Sequence, residues 1–296
     1  PNKIKEISMN KFITEEKELT GPEFQALPKE CNFPKGTSAN ACPVFDHLCD
    51  WLRKWSPRSD DKLYEAVGIF ILSTIAARRV SYDLGKTKYT NIQILLIGRT
   101  GLSAKSTVAS LAIELITHIG LDYLLIPDLI TPQKLVNIMS LNAPENFEKM
   151  SAVEQERAKL KVGFSGQRGW FHDEFGTTLA GMLKSDKNDS NFRKLFRQFD
   201  DAPVKFSLAG IARGIDEITR PYLSFLGCMT IADMAPWCRR GTTLWGDGWL
   251  ARMGLVSADN IGNKQRFPEG MLTFPSEIVN ALLEWHNRLG LPSVLL

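Results

Sequence analysis

Lys105 and Ser106 follow the small-residue run "GRTGLSAKST", and together these residue types have the makings of a phosphate site. Consecutive backbone N–H groups, freed by small residues, can converge on an anion at a helix N-terminus. A lysine then reaches the outer phosphates, and the hydroxyl after it ligates magnesium. Gly98, Thr100, Gly101, Ser103, Ala104, Lys105, Ser106 and Thr107 form the candidate binding set, with ATP and Mg2+ as its ligands. Two departures stand out: counted from Gly98 the lysine comes one residue late, and Ala104 occupies the position of the usual glycine. Alanine is tolerated there if its φ is negative, and Gly101 can absorb a positive φ elsewhere; neither angle is visible in the sequence. The alternative is an ordinary strand, turn and helix with a surface lysine.

A second motif, "GWFHDEFG", ends a short apolar stretch in two acids. At the tip of a strand neighbouring the phosphate loop, Asp173 would bind the metal through water and Glu174 would orient or deprotonate the attacking water. A helix cap at Asp173 is the alternative. Thr230, closing the run "RPYLSFLGCMT", would touch the outer phosphate or the water, or serve as an ordinary loop hydroxyl. Arg252, in "GDGWLARM" after the turn residues Asp247 and Gly248, lies in an apolar segment where a permanent cation needs a partner. An arginine finger, a sensor or a structural salt bridge would each explain it.

These residues need elements to hold them. The chain has 296 residues, 44% hydrophobic and 23% charged, the balance of a folded protein with a sizeable core. A net charge of +3 provides no global basic field, so a nucleic-acid surface would have to be a local patch. Five cysteines lack the spacing of a disulfide framework or a zinc knuckle. With neither a leader nor a membrane-spanning run, the expected location is the cytoplasm. The start at Pro1 is read as a fragment of something larger.

Residues 1–44 mix charge with Pro and Gly and read as an irregular arm, 45–90 as a helical region, and 91–296 as the catalytic core with a C-terminal helix. Within the core, Ile92 to Ile97 reads as a buried strand, Lys105 to His118 as a helix stopped by Gly120, and Thr131 as the cap of another helix. Further strands are expected at Tyr123 to Ile126, Val204 to Leu208, Tyr222 to Met229 and Leu250 to Val256. Strands alternating with helices predict an α/β fold with a mostly parallel sheet covered on both faces.

The four motifs together resemble a family of bacterial and phage phosphate-loop ATPases catalogued as a domain of unknown function and similar to plasmid and phage primase-helicases. The resemblance spans roughly Tyr64 to Ser257. It implies a RecA-like or AAA-type core, ATP hydrolysis, and Arg252 acting in trans in a homo-oligomeric ring, with a hexamer expected. DNA, single- or double-stranded, is the expected partner. Lys184, Lys187, Arg193, Lys194 and Arg197 are candidates for non-specific phosphate contacts, although interspersed acids also suit a solvated helix. Arg213, at the tip of "AGIARGIDE", is similar to a residue on a DNA-facing hairpin. The competing readings are a nucleotide switch acting on a protein partner and a degenerate scaffold.

Overall fold

The computed structural model describes residues 42–140, 146–183, 190–210, 214–237, 246, 248–258 and 266–292. In chain order, the first half holds α1 (Pro43–Trp55), α2 (Asp61–Ala76), β1 (Ser81–Asp83), β2 (Thr87–Tyr89), β3 (Gln93–Ile97), α3 (Lys105–His118), α4 (Pro132–Met139) and α5 (Ala152–Gly163). The second half holds β4 (Gln167–His172), α6 (Phe175–Met182), α7 (Ser190–Asp200), β5 (Lys205–Gly210), β6 (Gly214–Thr219), β7 (Tyr222–Met229), α8 (Ile231–Met234), β8 (Gly254–Ser257) and α9 (Ser276–Leu289).

Four strands form a parallel sheet in the order β4-β7-β3-β8. Alternate side chains of a strand point to opposite faces, and here both faces are covered, as a parallel sheet requires. On one side Ile94 and Leu96 of β3 and Leu226 and Cys228 of β7 pack with buried residues of α1, α2, α3 and α9. On the other, Leu95, Trp170, Phe225 and Met229 pack with α4, α6 and α7. The architecture is α/β, a parallel sheet flanked by helices, consistent with a Rossmann or RecA-like fold.

Several expectations need correction. Residues 45–90 are not all helical: Ser81–Asp83 and Thr87–Tyr89 pair as an antiparallel hairpin, with Gly85 at φ +78 in the turn. Nor do α1 and α2 form a layer of their own, since they share one apolar cluster with β3, α3 and α9. The strand expected at Tyr123 to Ile126 begins as a 3-10 turn and makes one parallel bridge, Leu125 to Gly169. Of the Val204 to Leu208 stretch, Lys205 to Leu208 belong to β5, which pairs with β6 outside the main sheet, and Leu250 to Arg252 is a 3-10 turn before β8.

Thr131 caps α4 as its sequence indicates, accepting from the Lys134 backbone N–H at 3.3 Å, with Pro132 at the first position. Thr131→Ala is expected to cost about 1 kcal/mol, read as a lowered urea midpoint with unchanged slope. Among the described residues no helix is long and apolar enough to cross a membrane.

Candidate functional site

β3 delivers the chain to Gly98, where close approach requires glycine: a Cβ there would lie 2.4 Å from Ser103 Oγ. Ser103 is buried, and its hydroxyl donates to the Arg99 carbonyl at 3.2 Å, folding the loop back on itself. Gly101 takes a positive φ, +72, as a glycine can without strain. Ala104 does not meet the condition under which alanine is tolerated at this position. Its φ is +44 and ψ +30, the left-handed conformation that a glycine would adopt without strain. It is the residue from which α3 starts, so the turn into the helix is made there. Ala104 also lacks a side-chain acceptor, which leaves the first-turn N–H groups of Lys105, Ser106 and Thr107 uncapped. Ala104→Gly is expected to stabilise the fold by about 0.5–1 kcal/mol, seen as a raised thermal midpoint; a lowered midpoint would contradict the left-handed backbone.

The acidic pair sits where β4 ends. Ser106 Oγ donates to Asp173 Oδ1 at 2.7 Å, and the Glu174 backbone N–H reaches the same oxygen at 3.0 Å. Glu174 is exposed and is itself left-handed, with φ +51. Thus α3 and α6 both begin after a strained non-glycine residue, neither has a side-chain cap, and the first turn of α3 touches the acid preceding α6. β4 is not adjacent to β3 as expected; β7 lies between them, and the contact is made from α3 rather than from the strand. Beneath it, the buried Cys228 thiol is pushed up to about 12 by burial and by the Asp173 carboxylate, with Lys105 opposing, so both charges act on one point.

Three residues without an assigned role complete this edge. Asp128 accepts the Asp173 backbone N–H at 3.1 Å and lies 2.9 Å from Nδ1 of the buried His172. The far ring nitrogen of His172 is 2.8 Å from Thr178 Oγ1. Asp128 follows the apolar "LLIP", so the same rule that found Asp173, an acid just beyond an apolar run, points to it. Asp233 is the third. Thr230 donates its hydroxyl to Asp233 Oδ2 at 2.7 Å and accepts the Asp233 N–H at 3.1 Å, capping α8. The Asp233 carboxylate also presses on Gly176, where a Cβ would lie 2.3 Å from Asp233 Cγ.

The remaining candidates lie elsewhere. Arg252 precedes β8, which runs parallel to β3, and so stands at the sheet edge opposite the Lys105 loop. It donates to the Gly248 carbonyl at 2.8 Å and pairs with Asp200 at 3.4 Å and Asp201 at 3.7 Å. Burial raises the Asp200 carboxyl above its ordinary value. This is the salt bridge that the sequence left open as an alternative. On α7, Phe192, Leu195, Phe196 and Phe199 are buried at helical spacing, which leaves Lys194 exposed and Arg193 and Arg197 half-buried on the outer flank. Lys184, Lys187, Arg213 and Asp247 lie outside the described residues. No protein-family model matches the sequence and no curated protein matches it, so the functional reading rests on this geometry.

Proposed function

We propose that the chain is an ATP-hydrolysing phosphate-loop NTPase of RecA-like or AAA type, the helicase or translocase module of a phage, plasmid or mobile-element DNA replication protein. The contact between Ser106 Oγ and Asp173 Oδ1, 67 residues apart in sequence and 2.7 Å apart in space, carries this reading. It joins the hydroxyl after the lysine to the strand-tip acid, the two groups that this chemistry requires at one metal. Magnesium takes oxygens at about 2.1 Å in octahedral geometry, so neighbouring ligand oxygens lie about 3 Å apart. The Ser106 hydroxyl, hydrogen-bonded to Asp173 at 2.7 Å, would be one such ligand, with Asp173 reaching the metal through a bound water. When bound, Mg2+ supplies positive charge to the phosphate oxygens.

The uncapped N–H groups of Lys105 and Ser106 receive a phosphate, and the Lys105 ammonium neutralises its outer oxygens. Glu174, exposed beside Asp173, orients or deprotonates the attacking water. Thr230 reaches a phosphate only by leaving Asp233. In a homo-oligomeric ring Arg252 acts on a neighbour's nucleotide only by leaving Asp200 and Asp201. Arg193, Lys194 and Arg197 offer salt-sensitive phosphate contacts to DNA.

The left-handed Ala104 favours a second reading, a scaffold domain that binds nucleotide poorly. Magnesium-dependent ATP hydrolysis with and without single-stranded DNA decides between them. Turnover stimulated by DNA supports the motor, and turnover indifferent to DNA supports a switch acting on protein. Absence of nucleotide binding supports the scaffold.

A further inference from the structure

A cavity of about 500 Å³ lies between the start of α4, the outer flank of α7 and strand β5. Its volume suits a ligand the size of a nucleotide. Leu195 and Phe206 supply apolar wall, while Gln133, Asn191 and Gln198 bring three primary amides to the same space. Gln198 Oε1 is buried and has no hydrogen-bond partner among the described residues. A buried amide oxygen without a partner costs about 1–3 kcal/mol, and turning the Gln198 amide so that this oxygen meets a ligand donor in the cavity would recover that deficit. Gln133 gives its Nε2–H to Asp216 at 3.2 Å, which fixes its amide plane and presents its carbonyl. Lys194 is exposed on the cavity wall, and among the described residues no carboxylate lines the cavity. An apolar slot, amides that can pair with a ring edge, and a cation outside are complementary to a flat nitrogenous base carrying a phosphate.

We propose that this cavity binds one nucleotide, its base inside against Gln198 and its phosphate at Lys194. The site is separate from the Lys105 loop, and the nucleotide comes either from a single strand or from free mononucleotide. The test uses the full chain and two probes: a short labelled single-stranded adenine oligonucleotide, compared with the same backbone carrying abasic sites, and AMP. Wild type and Lys105→Ala are both expected to bind the base-bearing strand about tenfold more tightly than the abasic one. Gln198→Leu, close in shape, and Ser207→Trp, which fills the cavity from an exposed strand position, are expected to abolish that preference without lowering the thermal midpoint. AMP affinity lost in the same two variants would assign the site to free nucleotide, and a strand-only effect would assign it to nucleic acid. The proposal is overturned if both variants bind strand and AMP as wild type does, if wild type binds neither, or if the preference disappears in Lys105→Ala alone. Because Lys105→Ala disables only the phosphate loop, failure here and failure of the ATPase reading are separately visible.

Discussion

Glu174→Gln is expected to lower magnesium-dependent ATP turnover by about 10²–10⁴-fold, the span that a positioned acid or base contributes, while nucleotide still binds. The substitution keeps size and shape and removes only the charge. Glu174 is exposed and makes no side-chain bond that caps α6, so the fold has little reason to respond. Its left-handed backbone, φ +51, is no easier for glutamine than for glutamate, which keeps the strain equal in the two proteins. Lys105→Ala should behave differently. It removes the ammonium that meets the outer phosphates, so affinity falls along with turnover. Steady-state phosphate release, paired with equilibrium binding of a fluorescent ATP analogue, separates the two effects. If Glu174→Gln turns over ATP at the wild-type rate, the end of β4 is not catalytic and the Ser106–Asp173 contact is a structural hydrogen bond.

Local sequence foretold the segments whose physics is local. α3 runs from Lys105 to His118 as read, because its apolar period is helical and Gly120, at φ +75, ends it. β7 spans Tyr222 to Met229 as read, because an unbroken apolar run suits a strand buried on both faces. Strand order was not legible. The insertion of β7 between β3 and β4 depends on long-range pairings, Gln93 with Phe225 and Gln167 with Tyr222, for which side-chain periodicity carries no signal. β1 escaped notice because all three of its residues are exposed, leaving no alternation to read.

At the site the residue types were legible and the backbone was not. Ala104 gives no sign of its left-handed φ, since alanine ordinarily avoids it. Arg252 announced a need for partners, but Asp200 and Asp201 reach it only through the fold. Asp233 was hidden for a different reason. Its importance comes from pressing on Gly176, a meeting of α8 with α6 that neither segment records.

Stability should fall by as much as about 3 kcal/mol between pH 7 and pH 4 through His286 alone. His286 is buried on α9, with Nδ1 2.9 Å from Arg79 Nη2 and Nε2 3.0 Å from the Tyr123 hydroxyl. Arginine can only donate, so Nδ1 accepts and Nε2 carries the proton that faces Tyr123. Protonating Nδ1 would set two donors against each other. Burial first, and the Arg79 charge second, hold His286 down from 6.5 to about 4. Its neighbours do not relieve this, because burial leaves Arg79 charged, at about 10, and pushes the Tyr123 phenol up to about 12. The folded state therefore binds fewer protons than the unfolded chain throughout the interval between about 4 and 6.5. The contribution is complete above the upper limit, declines as pH falls through the interval, and is flat below the lower one. Carboxylates titrate in part of the same range, so the measurement is a difference: urea unfolding of wild type and His286→Gln at pH 7 and pH 4. Wild type should lose up to about 3 kcal/mol more than the variant between the two. Equal losses would mean that His286 titrates alike in both states, and that the Arg79–His286–Tyr123 contact does not hold α9 against the core.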